Sequence, residues 1–89
     1  MMSQSITSTK KRRKKATLYL LDDEMNSFEF VIAVLSSVLP ECTALKAESI
    51  AMVTHNVGRC DIYRGYIIDV FALYAQLQKA GLNVTISNK

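Results

Sequence analysis

Apolar residues come in short stretches whose spacing switches between two and three to four along the chain. Thr17-Leu18-Tyr19-Leu20-Leu21 is a run of strand formers, and the three carboxylates that follow stop it. Further on, Phe28, Val31, Val34, Leu35 and Val38 share one face of a helix, and Pro40 forbids its continuation. The spacing predicts a helix from Ser27 to about Leu39, with Asn26 as its cap and Glu29 reaching back to it. Thr43 offers the next cap, and Ala47, Ile50, Ala51 and Thr54 repeat along one side of a second helix from Ala44 to His55. Gly58 suits a turn of positive φ. Arg59 to Tyr63 alternates as a strand, and Arg64-Gly65 reads as a turn into a third helix from Tyr66 to Ala80, stopped by Gly81. In that helix Ile67, Val70, Phe71, Tyr74 and Leu77 form the core stripe, while Ile68, Ala72 and Ala75 lie off it. Leu82 to Ile86 alternates again as the last strand.

This order, β-α-α-β-α-β, predicts an α+β fold: a small, mainly antiparallel three-stranded sheet with three helices on one face. At 89 residues, 49% of them hydrophobic, the chain suffices for one domain with a modest core. No apolar run approaches the ~20 residues of a membrane span, so the chain reads as cytoplasmic with no membrane partner. Cys42 and Cys60 have neither the pattern of a disulfide framework nor the spacing of a zinc site. They read as reduced thiols, and no metal or cofactor is expected.

The formal net charge of +3 points first towards nucleic acid, but its distribution changes that picture. Six of the 11 basic residues lie in the run Lys10 to Lys15, so the remainder, which holds all eight acids, is net negative. Residues 1–15 read as a disordered basic tail and 16–89 as the folded domain. Nucleic-acid binding through that tail is an alternative function rather than the one favoured.

Asp22-Asp23-Glu24 sits where the first strand ends and the first helix begins. One reading of these acids is that they face the positive end of the helix dipole, at about 0.3–1 kcal/mol each. The other is a cation site at Asp22 and Asp23, with Phe28 and Val31 as an apolar wall one turn further on. An ammonium beside an apolar side chain describes the first residue of a polypeptide. His55, the lone histidine, can complete such a site through its unprotonated nitrogen. A helix-terminal histidine is equally a partner for the dipole. Catalysis needs a nucleophile held by an oriented base, and Cys60 sits in no such signature, so the chain does not read as an enzyme.

The run Asp22-Asp23-Glu24-Met25-Asn26-Ser27-Phe28-Glu29-Phe30-Val31, followed by Ala47-Glu48, His55 and Gly58, resembles the ClpS adaptor family. That family's junction usually reads Asn-Asp-Asp and then, one residue on, Thr or Asn, and its second helix ends in a His-x-x-Gly-Lys turn. The resemblance spans roughly residues 17–87. It implies an adaptor that binds N-degrons, proteins with a bulky hydrophobic N-terminal residue, and delivers them to a ClpA- or ClpC-type AAA+ unfoldase of the Clp protease. On this resemblance Asp22 (Asn in the family), Asp23 and His55 hold the substrate α-amino group. Asn26 stands at the pocket edge, and Phe28, Val31, Ala51 and Leu82 line the side-chain pocket. Ala51 occupies a place where a larger residue, often Met, gates against β-branched side chains. The family's charged unfoldase-docking positions have no match in Arg64 to Asp69, and its flexible N-terminal extension corresponds to residues 1–15. A second alternative function is an interaction module like the C-terminal domain of the ribosomal stalk protein, which shares this topology.

Overall fold

The computed structural model describes residues 14–88. Its elements are β1 (Lys15–Leu21), α1 (Phe28–Val38), α2 (Ala44–Val57), β2 (Arg59–Tyr66), α3 (Ile67–Ala80) and β3 (Val84–Ser87), in the order the hydrophobic pattern predicts. Strand β1 lies between β2 and β3 and pairs antiparallel with both. Its even-numbered residues, Ala16, Leu18 and Leu20, turn towards the helices and join Leu35 of α1, Ala47 and Ile50 of α2, and Val70 and Leu77 of α3 in one core. The buried residues of α2 are Ala47, Ile50, Ala51 and Thr54, the side its spacing singles out. Among the described residues no helix is long and apolar enough to cross a membrane.

The structure departs from the sequence expectations at several points. Strand β1 starts at Lys15, paired with Tyr66, so the last residue of the expected tail belongs to the sheet; residues 1–13 of that tail lie outside the described residues. Ser27 rather than Asn26 caps α1, its Oγ accepting from the Phe30 amide at 3.1 Å. Helix α2 continues past His55 to Val57 before Gly58, at φ 107°, turns the chain. Strand β2 does not turn at Arg64-Gly65 but runs on to Tyr66. A Cβ at position 65 would meet the Tyr63 ring at 3.0 Å, so this glycine makes room for an aromatic ring on the same face of the strand. Finally, Phe28 and Phe71, both placed on core stripes, are 36% and 54% exposed. Three strands, ~4.8 Å apart, are too narrow to cover the outer margin of either helix stripe.

Register shifts between Leu18 and Tyr19, so that Ile62 of β2 is an extra residue and both Ile62 and Tyr63 pack against the core. Cys42 and Cys60 are free thiols. Burial, helped by the neighbouring Asp61 charge, pushes the Cys60 thiol up from its ordinary value, so it serves as a small apolar packing group.

Leu18 is the fully buried centre of the sheet. Leu18→Ala is expected to lower unfolding free energy by about 2–5 kcal/mol in urea titrations, whereas Ile68→Ala, on an exposed side chain, changes it by less than ~0.5 kcal/mol.

Candidate functional site

Where β1 ends, two backbone hydrogen bonds gather the loops around it. The Leu21 amide donates to the Asn83 carbonyl at 2.8 Å, and the Asp22 amide donates to the Gly58 carbonyl at 3.0 Å. The end of α2 and the approach to β3 are thereby fixed beside the β1–α1 junction. That junction is folded by Asp23, whose Oδ1 accepts from the Met25 amide at 2.6 Å and whose Oδ2 accepts from Asn26 Nδ2 at 2.9 Å. Asn26 Nδ2 also donates to the Gly81 carbonyl at 2.9 Å, which ties the junction to the left-handed cap of α3. Asn26 is therefore a clamp between two loops, a use that outweighs capping α1.

These ties enclose an open cavity of about 70 Å³. A single water needs ~10–15 Å³, so there is room for a side chain of several heavy atoms. All eight residues singled out in the sequence, Asp22, Asp23, Asn26, Phe28, Val31, Ala51, His55 and Leu82, line it. They come from the junction, α1, α2 and the segment before β3. Leu20, Leu21, Thr54 and Asn83 also line it and were not anticipated as site residues. Thr54 carried a signal, since it is the polar member of the buried α2 stripe; Asn83 carried none, because its place depends on a bond to Leu21 across the sheet.

The cavity has two chemical zones. Its rim is polar. The Asp22 carboxylate, half exposed, stands 3.9 Å from Nδ1 of His55, too far for a direct hydrogen bond but close enough for one donor between them to reach both. His55 is steadied by the edge-to-face ring of Phe28, with centroids 6.3 Å apart and planes at 88°. Each Asp23 oxygen keeps an unused lone pair, and Asn26, with both amide hydrogens engaged, has its carbonyl oxygen left to accept. The floor is apolar: Val31, Ala51, Leu82 and the body of Phe28. Thr54 adds no free donor to it, because its hydroxyl donates to the Ile50 carbonyl at 2.8 Å. An acceptor-rich, negatively charged rim above an apolar hollow fits a ligand with a cationic donor at one end and an apolar group at the other. Among the described residues no group of three His, Cys, Asp or Glu side chains is placed to hold a metal ion.

A family model described as the ATP-dependent Clp protease adaptor protein ClpS matches residues 11–85. Among solved structures, that of Agrobacterium tumefaciens ClpS2 bound to L-phenylalaninamide shares the fold with a TM-score of 0.77 and 21% sequence identity, covering 88% of this chain and 100% of that one. No curated protein matches.

The clamp role of Asn26 is open to measurement. Asn26→Ala removes two hydrogen bonds, each worth ~0.5–1.5 kcal/mol net, so a loss of about 1–2 kcal/mol in unfolding free energy is expected. An unchanged urea midpoint would show that the two loops are held by other means.

Proposed function

The chain belongs to the ClpS family of ATP-dependent Clp protease adaptors, and we propose that its cavity binds the first residue of proteins bearing a bulky hydrophobic N-terminus for delivery to a ClpA- or ClpC-type unfoldase in the cytoplasm. The observation that carries this reading is the two-zone cavity, in which a rim of hydrogen-bond acceptors adjoins an apolar floor. A protein's first residue carries both matching halves on one carbon. Its α-ammonium donates up to three hydrogen bonds, and Asp22, Asp23 and the unprotonated nitrogen of His55 accept them. Its side chain fills the hollow between Val31, Ala51 and Leu82, where burying a Leu or Phe is worth ~1.5–3 kcal/mol.

Selectivity follows from what other ligands leave unsatisfied. An internal residue or an acetylated N-terminus presents one amide hydrogen and no charge, so the carboxylates lose water without gaining an ammonium. A charged side chain such as Arg must be desolvated to enter the apolar floor. The ligand of the Agrobacterium protein supports the reading, since L-phenylalaninamide carries a free α-amino group, an apolar ring and an amide in place of a carboxylate, like the first residue of a chain. The role calls for recognition alone, with no bond made or broken. Three acids clustered at the β1–α1 junction make binding weaken as salt rises.

Ala51 sets the width of the hollow. Its methyl leaves space that a longer side chain would fill beside the ligand's β-carbon, so β-branched N-terminal residues are accommodated alongside Leu and Phe.

Fluorescent peptides beginning with Leu, Phe, Arg or acetyl-Leu provide the test. The first two are expected to bind, and the others about tenfold or more weakly, since a hydrogen bond to a charged group is worth ~1.5–3 kcal/mol. Asp23→Asn combined with His55→Ala should weaken Leu-peptide binding by a similar factor, and affinity indifferent to acetylation would refute the assignment. On the same peptides Ala51→Met is expected to penalise Ile and Val at the first position more than Leu; an equal effect on all three would remove Ala51 as the determinant.

A further inference from the structure

The core uses only one face of the sheet, and the opposite face has a chemistry of its own. Odd-numbered residues of β1 point there: Lys15, Thr17, Tyr19 and Leu21. Their register partners on β2 are Tyr66, Arg64, Asp61 and Arg59, and on β3 Ser87 and Thr85 stand opposite Thr17 and Tyr19. None of these residues belongs to the core cluster that the helices cover. Lys15, Arg59 and Arg64, the three basic residues within the strands, all stand on this face, and Asp61 is the sole acid within the strands. The arrangement is ordered. The Arg59 guanidinium lies over the Tyr19 ring at 4.8 Å, Lys15 Nζ lies over the Tyr66 ring at 5.5 Å, and Arg64 donates to the Thr17 hydroxyl at 2.8 Å. In the sequence the basic run Lys10 to Lys14 immediately precedes Lys15.

From this face we infer a second binding site, independent of the cavity: a platform for single-stranded nucleic acid. Cations paired with aromatic rings on an open sheet give phosphates their counter-charges and bases a flat surface on which to stack, either on the ring or on the guanidinium plane. Lys15 and Tyr19 are four residues apart along one strand, about 13 Å, the scale on which an open sheet stacks two or three bases. A membrane surface is a poorer match, because among the described residues the face is made of charges, hydroxyls and tyrosine rings, and its one aliphatic side chain, Leu21, is only partly exposed. A duplex is poorer too, since among the described residues no helix or strand is added on this side of the sheet to enter a groove. Lys15 and Tyr66 lie at the end of the face remote from the cavity rim, whereas Arg59, paired with Leu21, lies at the end from which Asp22, Asp23 and Glu24 follow.

The experiment uses the full chain and a fluorescein-labelled 12-nucleotide oligouridylate, titrated by anisotropy at several salt concentrations. Binding is expected, with affinity falling as salt rises, and quenching of intrinsic tyrosine fluorescence is expected at saturation. The double variant Lys15→Ala with Arg59→Ala should lose about tenfold or more in affinity and flatten the salt dependence by about 0.7 per lost phosphate contact. Its circular dichroism and urea midpoint are recorded beside the parent's; if it is misfolded, the tyrosine quenching in the parent chain decides instead, and its absence rejects the platform. Three further outcomes overturn the inference. They are affinity unchanged by the face substitutions but abolished by serine at Lys10 to Arg13, equal affinity for a 12-base-pair duplex, and equal retention on phosphatidylserine vesicles.

Discussion

The last two amides of the central strand region hold the molecule's working end in shape. Leu21 is the last residue of β1, in register with Arg59, and Asp22 follows it. They donate to the carbonyls of Asn83 and Gly58, and in doing so they draw the C-terminus of α2 and the approach to β3 against the point where β1 becomes α1. Three stretches distant in sequence, residues 20–31, 51–55 and 82–83, then share one cavity. Gly58 and Gly81, both in the left-handed region, make these approaches possible, because each ends its helix with a sharp turn that brings a carbonyl to face the junction.

Within that frame, rigidity and availability are divided between neighbouring residues. Asp23 and Asn26 spend much of their hydrogen-bonding capacity on one another, on Met25 and on Gly81, so their orientation is set before any ligand arrives. Asp22 and His55 are free of such ties and exposed, facing one another across 3.9 Å. A donor entering the rim meets two prearranged acceptors and two that stand open to solvent. The apolar floor has no such mixture; Leu82 belongs to the core and Val31 packs against it.

Much of this was legible in the chain, and the exceptions share a cause. The stripe Ala47, Ile50, Ala51, Thr54 could be read off because residues at this spacing share one side of a helix, and that side is the one buried. Asp22, Asp23 and His55, singled out from their residue types and from the resemblance to a known family, line one cavity. What escaped was whatever depends on partners far along the chain. Asn26 resembles a helix cap locally, yet its amide is claimed by Gly81, 55 residues away, and Ser27 does the capping. Gly65 resembles a turn, yet it is flat strand that seats the Tyr63 ring. The partial exposure of Phe28 and Phe71 reflects the width of a sheet with three strands, which no single helix encodes. The division of the sheet into an apolar face and a cationic, aromatic one is written in the alternation of β1, but Lys15 is indistinguishable there from the basic run before it.

The strand order has a consequence for how the protein is made. Strand β1 occupies the middle of the sheet and is translated first, while one of its two neighbours, β3, is translated last. A nascent chain that has reached Ala80 can pair β1 with β2 but still has an open edge along Thr17 to Leu20, and the Leu21 amide still lacks its acceptor at Asn83. Closing the sheet joins residues nearly the whole domain apart, a slow kind of contact to form. Folding on the ribosome is thus delayed until the final strand emerges from the exit tunnel, and until then the exposed edge is the segment most in need of a chaperone.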